Sequence, residues 1–394
     1  MIPSGQARLG VLAFAVASLA RAASAQYAPI TGRGFNLELF QDPTLGESRL
    51  IAMGRSLAPV ADGKMGLYAN PASVALRPDH HADPFDWTGS ITGESASGDI
   101  NDHGPSSINL DHALQGAGSL LFWVGRWGIA GNAGVSSTDM TPESGSAVPG
   151  LRAITVMPGL VAARTFADGQ LSVGVGLRAL FFVAQTVSDH QGVFWNVNLP
   201  LDGGVIWRPS DANFRLGADA SVPIYRGAPQ FGCNPLDCHG YVIPSGALTP
   251  WGISAGGAYR WGRSRWNIPP PGAYRDEYNL TVAASVEIIG AVNDGNGVEA
   301  YAANELQPTR NAATATPRLG VDAEVVPGWF RVRGGTYYEA SRFPGVASRA
   351  HGTAGLELRV LDLHIWGYHR ASLSAAGDWA ERYSVFALSV GFWD

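Results

Sequence analysis

After Gln26 the 394-residue chain has no apolar run of about 18 residues, the length a helix needs to cross a bilayer. A helical membrane protein is therefore excluded. Charge is scarce as well, at 15% of residues against about 25% in ordinary soluble domains. The net charge is −6 and no Lys/Arg run occurs, which argues against nucleic acid as a partner. Cysteine is reduced to Cys233 and Cys238, in "FGCNPLDCHG". With no second Cys/His pair nearby, this spacing suits a small loop disulfide in an exported protein better than a metal site. From Phe85 onward helical periodicity is missing too.

Other features are present in surplus. Glycine accounts for 50 residues and hydrophobic residues for 46%, without the triplet period of collagen or the polarity of a disordered chain. At the start, Arg8 precedes the apolar stretch "VLAFAVASLA", and Ala23-x-Ala25 follows. A basic region, a short apolar core and small residues before a cleavage point are the pattern of a secretory signal, over residues 1–25.

The last stretch, "RYSVFALSVGFWD", alternates. Phe386, Leu388, Val390 and Phe392 share one face and smaller residues the other, the period of a strand between two different media. Similar segments recur from Phe85 to the end, and fourteen can be counted. Connections after odd-numbered strands read as long, at 96–112, 140–150, 187–192, 226–246, 290–312, 341–350 and 372–380. Those after even-numbered strands are short, including Gly125-Arg126, Pro327-Gly328 and Leu361-Asp362, with a Pro-rich exception at 262–276. Aromatics gather beside the short turns: Phe122, Trp123, Trp127, Phe166, Trp207, Phe214, Tyr259, Trp261, Trp329, Phe330, Phe392 and Trp393. An even-stranded antiparallel barrel in an outer membrane has this asymmetry and such a girdle, with its short turns on the periplasmic side and the strand ends there too. Lipid offers the backbone no hydrogen bonds, so the sheet must close, and the last strand closes it. The expected fold is all-β, a 14-stranded antiparallel transmembrane β-barrel over 85–394.

Residues 26–84 differ. Leu45, Leu50, Ile51 and Leu57 suit a short amphipathic helix. In "ANPASVAL", Asn70 can cap a helical turn and Pro71 can occupy its first position. A segment this small finds a core most readily by filling the barrel lumen. "GLYANPASVALRP", a helical segment before it, fourteen strands and an aromatic end resemble the outer-membrane long-chain fatty acid transporters (the FadL/TodX group). PorV-like outer-membrane proteins share the Asn70-Pro71-Ala72 element. The resemblance implies an N-terminal hatch that plugs the barrel, and passage of hydrophobic compounds without energy input. It also implies assembly through the C-terminal strand by the barrel-assembly machinery. The alternative it leaves open is a PorV-like scaffold that docks exported proteins.

Parity predicts the lumen. Asp322 and Glu324 face inward opposite Arg333 and Arg331, and Arg215, Arg359 and His364 join them near the periplasmic end. These read as a polar exit, a hatch-docking zone or simple structural ion pairs. In the outer half Leu180, Phe182, Phe194, Tyr337, Trp366 and Tyr368 face inward, where a water-filled porin would be polar. They read as a hydrophobic ligand pocket or as packing against the hatch, with Glu287, Glu339 and Arg370 at the same level and Arg370 suited to an anionic head group. Gly and Pro inside strands (Pro158, Pro200, Gly203, Gly204, Pro223) mark where the wall could bulge. Enzyme signals are thin. "GISAG", Gly252 to Gly256, lies in a straight strand rather than the sharp strand-to-helix turn a nucleophile elbow needs. Asp79-His80-His81-Ala82-Asp83 reads as a solvated linker, since adjacent histidines on an extended chain point apart, and Asn293–Gly297 reads as a turn. Neither a cofactor nor a metal is expected. The expected partners are outer-membrane lipid and a hydrophobic small molecule.

Overall fold

The computed structural model describes residues 27–39, 47–77, 85–104, 108–142, 148–268 and 274–393. The secretory pattern, Leu45 and the Asp79–Asp83 stretch lie outside them. Fourteen strands form one closed antiparallel barrel: β1 (Phe85–Gly98), β2 (Ile108–Val124), β3 (Trp127–Pro142), β4 (Leu151–Phe166), β5 in two pieces (Leu171–Arg178 and Leu180–Thr186), β6 (Gly192–Trp207) and β7 (Phe214–Arg226). They continue with β8 (Gly252–Gly262), β9 (Asn279–Ile289), β10 (Thr314–Val326), β11 (Phe330–Glu339), β12 (Arg349–His364), β13 (Tyr368–Ala380) and β14 (Tyr383–Phe392). Closure is made by β14 on β1, from Tyr383 opposite Gly98 to Gly391 opposite Ser90. Phe386, Leu388 and Val390 stand outside, 52%, 48% and 60% exposed, as a lipid-facing strand requires.

The last hairpins differ from the sequence reading. The ladder between β12 and β13 runs through Asp362, opposite Arg370, and the turn falls at 365–367. Residues 372–380 are strand rather than loop, and only Glu381 and Arg382 connect β13 to β14. "SLSAAGDWA" reads as a loop because its residues are small. Their size has another cause: Ser374 and Ala376 lie against residues 48–52. The girdle needs one correction. Trp127, Phe166, Trp207, Tyr259, Trp261 and Trp329 are exposed at the short-turn end. Trp123 and Trp393 instead face inward, because alternation forbids two adjacent residues the same side. Trp123 Nε1 donates to Val74 O at 2.8 Å, and the Arg331 guanidinium lies 4.1 Å over the Trp393 ring.

Residues 47–77 run inside the barrel as two short helices, α1 (Ser48–Ala52) and α2 (Gly66–Ala69), then a 3₁₀ turn, Pro71–Ala75. Leu50 and Ile51 are buried in α1 as expected, while Leu57 is buried beyond its end. Isolated helices this short are not stable in water; the wall supplies their core. Ile51 and Ala52 pack with Ala96, Ala376, Val385 and Ala387, and Leu57 and Val60 with Ala258 and Ala283. Val74 and Ala75 pack with Leu121, Val161 and Ala163.

Part of the glycine surplus serves this docking. A Cβ at Gly128 would lie 2.0 Å from Val74 O, at Gly174 2.4 Å from Pro71 C, at Gly217 2.1 Å from Ala58 O and at Gly320 2.3 Å from Met53 O. Only glycine lets the inner backbone lie directly on these strands.

At the loop end, Asn36–Glu38 pairs in parallel with Gly246–Leu248 and with Gly295-Asn296. Phe35 and Leu37 there enter one apolar core with Phe182, Phe194, Tyr241 and Tyr301. Cys233 and Cys238 form the expected disulfide. Thus residues 27–39 lie at the loop end, although the strands β1 and β14 begin and end at the opposite one.

Candidate functional site

Asn70 fixes the centre of the lumen. Its backbone is extended (φ −151°, ψ 113°), its side chain accepts from Ala72 N at 3.0 Å, and Pro71 opens the turn. The amide also donates to Ala58 O at 3.0 Å and to Val205 O and Ala218 O at 3.2 Å. Val205 and Ala218 are partners across β6 and β7, so one buried side chain caps the turn and ties it to two strands. Ser172 Oγ donates to Ala72 O at 2.5 Å beside it.

The opposite wall carries the expected ion pairs. Asp322 stands opposite Arg333 and Glu324 opposite Arg331, at 3.1 Å in both cases. Glu357 of β12 bonds Arg333. The inner segment joins this ladder through Arg49, 3.0 Å from Asp322. Lys64, the chain's single lysine, donates to Phe392 O at 2.6 Å. Buried charges placed this way keep their pairing only while all partners stay in position.

Two cavities flank the inner segment. The one on its loop side holds about 230 Å³ between Leu50, Tyr68, Met157, Leu180, Asp219 and Ser254. Arg178 and Asp202 pair beside it at 2.7 Å, and Arg318 bonds Glu287. The one on the short-turn side holds about 100 Å³ and presents seven arginines, including Arg77, Arg208 and Arg260, against Asp62, Asp322 and Glu324. Arg215 there lies 4.0 Å over the Trp266 ring and 2.6 Å from Asp62. Arg49, Arg215, Arg260 and Arg331 are paired there with Asp322, Asp62, Glu277 and Glu324, so the mouth is a densely charged, ion-paired surface.

The wall beside the larger cavity is interrupted. β5 breaks at Ala179, next to Pro158 of β4 and Pro200 of β6, and the β6–β7 register shifts between Pro223 and Tyr225. Prolines cannot donate to the ladder, so pairing fails where they meet. On the lipid face of the same seam Pro158, Leu160, Leu177, Ala179 and Leu199 border a groove of about 780 Å³.

The expected pocket residues are not brought together. Leu180 lines the loop-side cavity. Phe182 and Phe194 are buried, with ring centroids 5.7 Å apart, and pack toward Tyr301. The Tyr337 hydroxyl donates to Asp378 at 2.6 Å, and its ring stacks on His351 at 4.0 Å. His351 sits between Asp378 and Glu339, 2.9 Å from each. Trp366, Tyr368 and Arg370 belong to the other end, because the β12–β13 turn lies later than expected. Trp366 is 79% exposed, Tyr368 meets the Tyr274 ring edge-on, and Arg370 bonds Asp276 at 2.5 Å. Met157, Tyr68 and Asp219 were missed. Asp219 shares the inward parity of Arg215, a signal that a mid-strand carboxylate faces the lumen. Ser254 lies within the straight β8, opposite Asp219, so no nucleophile elbow forms there.

No family model matches the sequence, and no curated protein matches it either. Solved structures do match in fold. A Pseudomonas aeruginosa FadL homologue aligns with a TM-score of 0.53 at 14% identity, over 91% of this chain and 99% of that one. The Ralstonia pickettii toluene transporter TbuX aligns at 0.56 and 11% identity, over 88% and 97%. The Pseudomonas putida toluene transporter TodX aligns at 0.54 and 12%, over 91% and 99%. The chain therefore has the fold of these outer-membrane barrels over 88–91% of its length.

Proposed function

We propose that the protein is a passive outer-membrane channel for hydrophobic small molecules, with residues 26–84 as its hatch and barrel 85–394 as its wall. The observation that carries this reading is the pair of cavities separated by the inner segment. A compound entering from the loop side meets a mixed, partly apolar cavity lined by Leu180, and leaves past the inner segment into the arginine-rich mouth. The order of a partly apolar cavity and a charged mouth supports an amphiphile, such as a long-chain fatty acid, as cargo. In this reading Phe182 and Phe194 back the cavity, Tyr337 braces the wall, and Trp366, Tyr368 and Arg370 flank the exit. The aromatic closing strand, β14, is the element the barrel-assembly machinery would recognise.

A Cβ at Gly204 of β6 would lie 3.1 Å from Asn70 Cγ, which suits a lock between the inner segment and the β4–β8 wall. In an N70C/G204C variant, oxidation should block cellular uptake of labelled oleate, and mild reduction should restore it. The interrupted seam at Ala179, with a groove on its lipid face, favours a second route through the wall. Under that route the oxidised lock leaves uptake intact, while Ala179→Trp blocks it. If neither change alters uptake of oleate or toluene, the channel reading fails.

A further inference from the structure

The outer end of β7 forms a site that transport does not use. Pairing between β7 and β8 ends at Ser221 opposite Gly252. On its other side β7 stays paired with β6 up to Arg226 opposite Asn198. From Val222 to Arg226, then, β7 is held along one edge, and Pro223 has no N–H to offer the other. Because β8 starts so low, a groove of about 610 Å³ opens on the lipid face, bordered by Val222, Pro223, Ile224, Trp251 and Ile253, with Arg226 at one end. Val222, Ile224 and Ile253 are exposed apolar side chains.

Position identifies what meets Arg226. Phe214 marks the aromatic girdle at the base of the same strand. Twelve residues at about 3.3 Å, tilted by about 40°, rise roughly 30 Å. The apolar band of such barrels is about 25 Å tall, so Arg226 reaches the head-group level of the outer leaflet. Its recorded hydrogen bond is a long one, Nη2 to Thr249 O at 3.5 Å. Among the described residues it has no carboxylate partner, whereas Arg152, Arg178 and Arg318 are each paired with one. A guanidinium beside lipid needs an anion, and a phosphate suits its planar fork.

We infer that this groove binds a phosphorylated membrane lipid of the outer leaflet, one acyl chain lying against Val222, Ile224 and Ile253 and the phosphate on Arg226. The site rests on the membrane-spanning fold alone and is indifferent to what the lumen carries.

The test is native mass spectrometry of the full-length protein in a nonionic detergent. The probes are phosphatidic acid, a diacylglycerol with the same chains, and inorganic phosphate. One phosphatidic acid should be retained per chain, about tenfold more tightly than the diacylglycerol, the order of one charge-assisted contact. Arg226→Gln should remove that preference while leaving diacylglycerol retention unchanged, and Ala220→Trp, which fills the groove that Ala220 also borders, should weaken both lipids. Arg164→Gln, an exposed arginine at the opposite girdle that stacks on Trp127 and Phe166, should change nothing. Equal retention of the two lipids overturns the inference. So does an Arg226→Gln variant that behaves like wild type, a matching loss in Arg164→Gln, or inorganic phosphate that competes at the lipid's own concentration.

Discussion

The inner segment meets β10–β14 and β4–β8 in different ways. Toward β10–β14 it is fastened by charge and hydroxyl groups. Arg49 pairs with Asp322 at 3.0 Å, Ser48 N donates to Ser389 Oγ at 2.9 Å, and Thr353 Oγ1 donates to Ala52 O at 2.8 Å. The gap left beside Glu47, Lys64 and Ser374 is about 20 Å³. Toward β4–β8 the side-chain ties are made chiefly by Asn70, Ser172 and the Arg215–Asp62 pair. The space there is about 230 Å³, and the strands themselves break. A tightly packed interface moves as a unit, whereas a cavity leaves room for displacement. The difference teaches that any opening should swing the inner segment away from β4–β8, with β10–β14 acting as the hinge side.

Breaking the hinge side should cost most. Arg333→Met leaves Asp322 and Glu357 buried with one cation fewer, and such a loss typically costs about 3–5 kcal/mol. Urea unfolding in lipid vesicles should show it, with earlier proteolysis of residues 47–77. A change below about 1 kcal/mol would mean the ladder is not what fastens the segment.

On the other wall Asn70 is the tie to remove. Asn70→Ala loses the cap and the donors to three carbonyls, together about 2–3 kcal/mol. Asn70→Asp separates the two roles, since it can still accept from Ala72 N but cannot donate to Val205 O or Ala218 O. If the aspartate variant matches wild type in the same unfolding assay, the tie to β6 and β7 carries no weight. A smaller change is expected from Gly217→Val, about 1–3 kcal/mol for overpacking against Ala58. Planar-bilayer recordings should then show a leak that wild type lacks. Gly203→Val is the control, because a Cβ there meets nothing within 4 Å; an equal leak from it would remove the seal from Gly217.

The sequence carries parts of this arrangement, though not the contrast itself. Strand parity placed Asp322, Glu324, Arg331 and Arg333 correctly, because two antiparallel strands around a short turn leave one register open. Asn-Pro-Ala announced its own cap, since that chemistry is local. Levels along the barrel were harder. Sequence alone places Arg370 and Trp366 in the outer half, because Asp362 reads as a turn and "SLSAAGDWA" as a loop. Both signals are about residue size and polarity, and in β13 these were set by contact with α1, a partner more than three hundred residues away in sequence. The loop-side cavity was invisible for the same reason: Tyr68, Met157 and Asp219 meet only once the inner segment is in place.

The smallest effect expected extends the fastened wall to its loop end. There Asp99, Asp102 and His103 follow β1 and face Arg349 of β12, Glu339 of β11, Arg382 of the last turn and Glu299 of the 290–313 loop. Burial pushes the Asp102 carboxyl up to about 7, with Glu339 and Asp99 adding to it while Arg349 opposes. Burial lowers His103, yet its hydrogen bond to Asp99 and the Glu299 carboxylate outweigh that and hold it above its ordinary value. Both signs agree. A carboxyl raised in the folded state binds a proton sooner than in the unfolded chain, so it gains stability as pH falls from about 7 toward 4. A histidine raised in the folded state contributes fully below about 6.5 and loses that as pH rises through its folded value. Asp99 is held low, because His103 and Arg349 outweigh its burial, so its own contribution persists through this window. Residues 99–104 should therefore be better protected from amide exchange at pH 5.5 than at pH 8. After discounting for solvent screening the gain is about 1–2 kcal/mol, a five- to thirtyfold change in protection factor. Asp102→Asn should flatten most of that difference. If the amides of the Pro71–Ala75 turn change by the same factor, the response belongs to the whole barrel, and the division between its two walls does not reach the loop end.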